Sequence, residues 1–99
     1  KRVAYFNYIS RKRIKRGGGL YGKTFTFSRE IEENLGLSKS LADKIYECGG
    51  KYSQHVTQSN YYVAEKDDNS PRTQNAAKQG GLVLIDLVGL EEILNAASR

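Results

Sequence analysis

Cys48-Gly49-Gly50-Lys51 is the joint at which the chain changes its period. Upstream of it, Leu37, Leu41, Ile45 and Cys48 recur at intervals of four, four and three residues, which sets them on one face of a helix. Ser38 or Ser40 supplies the cap, and Ser40 with Asp43 three residues later fits a capping box. Gly49 is the expected stop, because glycine takes the left-handed backbone conformation without steric cost. Lys51-Tyr52-Ser53 then begins an extended segment. The same grammar returns at Gly80-Gly81. Pro71 to Gln79 is helical in pattern, and Leu82-Val83-Leu84-Ile85 is a continuous apolar run of the kind a buried parallel strand needs. Strand and helix alternate around the two glycine pairs, so the expected class is α/β.

Ninety-nine residues correspond to one domain with a modest core. A single cysteine allows no internal disulfide, and no apolar stretch has signal-peptide or membrane-spanning length. A reducing, intracellular setting is therefore expected, with no membrane partner. The start at Lys1 and the lack of methionine suggest a segment of a longer protein.

The net charge of +5 is unevenly placed. Lys1, Arg2, Arg11, Lys12, Arg13, Lys15 and Arg16 are seven of the sixteen basic residues, and no acid falls among residues 1–16. The rest of the chain keeps nine basic residues against eleven acidic ones. A positive arm on a near-neutral body favours phosphate-bearing partners. Within the arm, Tyr5, Phe6, Tyr8 and Ile9 precede the basic run. Aromatic rings interleaved with cations stack on bases while the cations neutralise phosphates. Arg2, Tyr5, Tyr8, Arg11, Lys12, Arg13, Lys15 and Arg16 are thus candidates for DNA-backbone and stacking contacts. Two other readings stay open: Tyr5, Tyr8 and Ile9 dock an N-terminal helix on the domain, and Arg11 to Arg16 form a nuclear-import signal.

Gly17-Gly18-Gly19-Leu20-Tyr21-Gly22-Lys23-Thr24 matches the letters of a nucleotide-binding loop. That loop needs a buried strand before it and a helix after it, whereas here a basic run precedes it and the strand-like Lys23 to Phe27 follows. Gly17 to Gly19 therefore read as a flexible linker, which puts an arm and linker at 1–19 and a domain at 20–99. Ser28 to Gly36 read as a mostly acidic loop. His55 stands alone in a polar stretch, so neither a metal site nor a cofactor is expected. Tyr61 to Ala64 form a short strand and Glu65 to Asn69 a solvated loop. Ser70 caps the second helix with Pro71 in its first turn, and Asp86 caps a third whose stripe is Leu87, Leu90, Ile93 and Leu94. No acid/base pair or nucleophile and histidine can be drawn, so no enzyme is expected.

In this order the elements resemble a BRCT domain from Leu20 to Ala97. The likeness rests on Leu20 to Phe27, the helix ending at Gly49-Gly50-Lys51, Ser59 to Ala64, Ala76-Ala77-Lys78 before Gly80, and Leu84-Ile85-Asp86 leading into Leu90 to Leu94. The last helix lacks the tryptophan many BRCT domains carry there. This is similar to the branch found in NAD-dependent DNA ligases and the large subunit of replication factor C, the latter with a similar basic, tyrosine-bearing segment before its domain. The resemblance implies a four-stranded parallel sheet flanked by three helices, two on one face and one on the other, and no catalysis. It also implies a phosphate site made by a Ser or Thr and a glycine after the first strand and a basic residue near the start of the second helix. Those positions fall on Ser28, Arg29 and Arg72, with Lys39 as an added basic residue near the first helix's start. Arg29 stands where the family has glycine, and Glu30, Glu32 and Glu33 crowd the same loop.

The expected function is a non-catalytic DNA-binding module of a replication or repair protein, contacting phosphates of double-stranded DNA at a 5′-phosphorylated end or nick. It would be nuclear in a eukaryote and cytoplasmic in a bacterium. The alternative is a module for a phosphoprotein or another protein partner, with the arm used for localisation.

Overall fold

A computed structural model of the chain describes residues 18–97. The arm residues Arg2, Tyr5, Tyr8, Arg11, Lys12, Arg13, Lys15 and Arg16 lie outside the described residues. The chain runs through β1 (Thr24–Phe27), α1 (Arg29–Glu33), α2 (Leu35–Glu47), β2 (Lys51–Tyr52), a 3-10 turn (Val56–Gln58), β3 (Tyr61–Val63), α3 (Pro71–Lys78), β4 (Val83–Ile85) and α4 (Leu87–Ala97). The strands form one all-parallel sheet in the order β2-β1-β3-β4, with Phe25 opposite both Tyr52 and Tyr61, and Tyr62 opposite Leu84.

Alternation along the strands builds two cores. Phe25, Phe27 and Val63 pack on one face with Ile31 of α1, Ala42 and Ile45 of α2, and Leu90 and Leu94 of α4. Phe25 stacks on Tyr61 and Phe27 tilts against Tyr52, each with ring centroids 4.8 Å apart. On the other face Tyr62 packs with Ala76 of α3, Ala64 and Leu82. The glycine stops behave as their positions require: Gly49 and Gly81 have φ of 91° and 81°. Asp86 caps α4 by accepting the Gly89 N–H at 2.8 Å. Leu20 to Thr24 lead into a strand, so the glycine-rich stretch meets no helix N-terminus.

Four sequence readings need correction. Ser28 to Glu33 form a cap and a helix rather than a loop: Ser28 Oγ accepts the Ile31 N–H at 3.3 Å, and Ile31 is pulled into the core. α2 starts before the predicted serine caps, with Asn34 as its N-cap, and Ser38 is instead buried, donating to the Glu32 carbonyl at 3.3 Å. Gly18 and Gly19 are packed rather than free: a Cβ on Gly18 would stand 2.1 Å from the Cys48 carbonyl oxygen, and one on Gly19 2.9 Å from Ala97. Last, β4 is an edge strand, and Val83 and Leu84 stay 50% and 40% exposed because no further strand covers them among the described residues.

Candidate functional site

The residue around which a site is organised is Arg72, the second residue of α3. Its position follows from the start of that helix. Asp68 accepts the Ser70 N–H at 2.8 Å through Oδ1, and its Oδ2 accepts the Thr73 hydroxyl, also at 2.8 Å. Because Thr73 gives its one hydroxyl proton to Asp68, the Tyr62 phenol 2.8 Å away and the Ser70 hydroxyl 3.2 Å away must both donate to Thr73 Oγ1. This network ties α3 to β3 and to the loop before it. The Ser70 N–H first, and then the Thr73 hydroxyl, hold the Asp68 carboxyl below the usual range. Burial raises the Tyr62 phenol, against the opposing pull of Thr73 and of the Arg72 charge.

From this anchored turn Arg72 reaches across the sheet. Nε donates to the Phe27 carbonyl at 3.3 Å, and Nη2 donates to Thr26 Oγ1 at 3.3 Å and to the Gln54 carbonyl at 3.2 Å. The reason lies in the ladder. β2 pairs with β1 only as far as Tyr52, and the Ser53 N–H donates to the Phe25 carbonyl at 2.8 Å, after which the next amide in step, that of His55, turns to Ser53 Oγ. The Phe27 carbonyl therefore lacks a strand partner, and the guanidinium takes that place. Three of its five N–H donors are engaged by these acceptors, and the guanidinium also lies close enough to the Tyr62 phenol to act on it by charge and hydrogen bonding. A guanidinium so held is a preorganised donor for an oxyanion at the C-terminal ends of parallel strands, the edge at which such sheets bind ligands.

Ser28 follows β1 directly beside this point, yet it is fully buried and its oxygen is committed to capping α1. The expected hydroxyl contact is thus corrected: Ser28 sets the angle between β1 and α1 and offers no surface to a ligand. Arg29 is the exposed first residue of α1, and Lys39 is exposed on α2. Glu32 does not crowd the site, for it is buried and its carboxylate accepts the Tyr52 phenol at 2.8 Å. Glu30 and Glu33 remain exposed. The amides that open α3 are not an empty anion cradle, since Asp68 and Ser70 Oγ already accept from Ser70 and Thr73.

Beyond the ends of β3 and β4 a second crevice is bounded by Glu65, Lys66, Asp68 and Asp86. Lys66 pairs with Asp86 at 3.7 Å, and Asp86 is held below the usual carboxylate range first by the Gly89 N–H. Three carboxylates against one ammonium repel phosphate, which leaves Arg72 as the anion-facing group of this sheet edge. No cluster of three potential metal ligands occurs among the described residues, and none of their helices is long and apolar enough to cross a membrane. Thr26, Gln54, Tyr62, Asp68 and Thr73 support the site without having been singled out in the sequence. Asp68, two residues before a Ser-Pro helix start, is the one that local turn chemistry could have revealed. No protein-family model matches the chain, and no curated protein matches it.

Proposed function

We propose that the chain is a non-catalytic, BRCT-like module that binds DNA through phosphate contacts, in a protein of replication or repair. The seven cations of residues 1–16 supply most of the affinity, and Arg72 supplies recognition of a terminal phosphate, with Arg29 and Lys39 adding to the field. The observation that carries this reading is the Arg72 guanidinium, half-buried and fixed by three acceptors at the C-terminal end of β1.

Fluorescence anisotropy on a recessed duplex with and without a 5′-phosphate tests it. With six or seven phosphate contacts, affinity falls by roughly three orders of magnitude between about 50 and 200 mM salt. The phosphorylated end is preferred, and Arg72→Ala removes the preference. Salt-insensitive binding would sink the phosphate-contact model. Equal, salt-sensitive binding to both ends would leave the arm as a non-specific tether and reassign Arg72 to a phosphoprotein ligand.

A further inference from the structure

The hydrogen bonds that open α3 run in one sense, and that sense fixes what the buried phenol of Tyr62 can do. The Asp68 carboxylate accepts from the Ser70 N–H through Oδ1 and from the Thr73 hydroxyl through Oδ2, each at 2.8 Å. The single proton of Thr73 is thereby committed, so the Tyr62 phenol donates to Thr73 Oγ1 at 2.8 Å. Its oxygen is left with lone pairs and no proton to offer a second partner. Tyr62 is fully buried, so bulk water does not reach those lone pairs, and a donor from the protein has to.

That donor stands beside it. Thr26 and Tyr62 are register partners in β1 and β3, so their side chains rise on the same face of the sheet, the one α3 covers. Arg72 Nη2 donates to Thr26 Oγ1 at 3.3 Å, which lays the guanidinium next to the phenol. A guanidinium can only donate and a carboxylate can only accept. Tyr62 and Thr73, set between them, carry a hydrogen-bonded chain in one sense alone: from Arg72 through the two hydroxyls to Asp68. Both ends are ionic, which strengthens and polarises the links between them.

We propose that Tyr62 and Thr73 are positioning residues for Arg72, linking it to the Asp68 carboxylate through a one-way chain of hydroxyls that fixes the plane of the guanidinium. The carbonyls of Phe27 and Gln54 and the Thr26 hydroxyl hold the group from β1 and from the segment after β2, and the phenol holds it from β3. Held from three strands, the fork does not turn about its Nε–Cζ bond. A bidentate contact to an oxyanion needs that plane fixed, because its two parallel N–H bonds form in one orientation. The holding of Arg72 stands on the geometry alone, whereas its consequence for a terminal phosphate rests on the function proposed above.

The test is NMR on the full chain, reading rotation about the Arg72 Nε–Cζ bond from the exchange of its two Nη resonances, assigned by their loss in Arg72→Lys. Tyr62→Phe keeps the ring in the core and removes the hydroxyl, Thr73→Val removes its hydroxyl with little change of shape, and Thr73→Ser keeps it. Rotation is roughly tenfold faster in Tyr62→Phe and in Thr73→Val, the factor that one hydrogen bond to a charged group is worth, and stays at the parent rate in Thr73→Ser. Rescue by serine separates the hydroxyl chain from a loss of packing. In the anisotropy assay the preference for the 5′-phosphorylated duplex falls by a similar factor in the two faster variants, while binding of the unphosphorylated duplex is unchanged. Parent-like rotation in Tyr62→Phe overturns the proposal, as does equally fast rotation in Thr73→Val and Thr73→Ser. Faster rotation with an undiminished phosphate preference overturns the positioning role. If rotation responds as expected but the parent binds both duplexes equally, the hydroxyl chain stands and the reading of a terminal phosphate fails instead.

Discussion

Replacing Arg72 by alanine is the sharpest test of the site's geometry. The substitution removes three hydrogen bonds, to the Phe27 carbonyl, to Thr26 Oγ1 and to the Gln54 carbonyl. A bond to a charged group is worth about 1.5–3 kcal/mol when the acceptor is left stranded. Here the Gln54 contact is exposed and the other two are partly buried, so water re-enters and each loss shrinks toward the neutral value of about 1 kcal/mol or less. The sum is about 2 kcal/mol, which in a domain of this size lowers Tm by roughly 8–16 °C. Arg72→Lys keeps the charge but not the planar fork, and the ammonium cannot replace the ladder contact at Phe27. Its Tm should fall nearly as far as that of Arg72→Ala, while under the proposed function it retains more of the salt-dependent DNA affinity. Thermal unfolding by circular dichroism reads the first effect and anisotropy the second. If Arg72→Ala melts within about a degree of the parent, the guanidinium is not held as described, and its proposed part as a preorganised phosphate donor goes with it.

Two further outcomes follow from the buried polar contacts. Tyr52→Phe takes a phenol from the buried Glu32 carboxylate and should cost about 1–3 kcal/mol in urea unfolding, with a coupling of similar size in a cycle with Glu32→Leu, which removes the acceptor; additive single effects would show that the contact carries no energy. Asp68 and Asp86 both have folded pKa values below their unfolded ones, so the stability they contribute is present above the unfolded value of about 3.9 and is lost as pH falls through the folded values. Urea midpoints should drop below about pH 4 and the drop should flatten in Asp68→Asn/Asp86→Asn, whereas an unchanged acid limb in that double variant would contradict the assignment.

The parts of the fold that could be read in the chain are those with a local cause. Ser70-Pro71 opens a helix because a serine oxygen and a ring with φ near the helical value suit its first turn, and Asp86 does the same for α4. The short helix Arg29–Glu33 escaped because five residues with one apolar side chain, Ile31, carry no period. Gly36 hid the start of α2, since a glycine there reads as a break, although it lies only in the first turn. The run Leu82–Ile85 fits a central or an edge strand equally well, and only the strand order assigns it to the edge.

The site divides along the same line. Its charge was legible: a basic arm, a near-neutral body and an arginine just inside a capped helix are properties of residue order. Which side chains meet was not. Arg72 finds Thr26, Phe27 and Gln54 from 46, 45 and 18 residues away, and it does so because β2 stops early and leaves a carbonyl open. Sequence alone thus determined the α/β alternation, the helix stops and the placement of charge, all of which act within a turn or two of the chain. The closing of Ser28 and the burial of Glu32 were decided by tertiary packing. They depend on which faces the parallel sheet brings together across long stretches of chain, a matter on which local preference is silent.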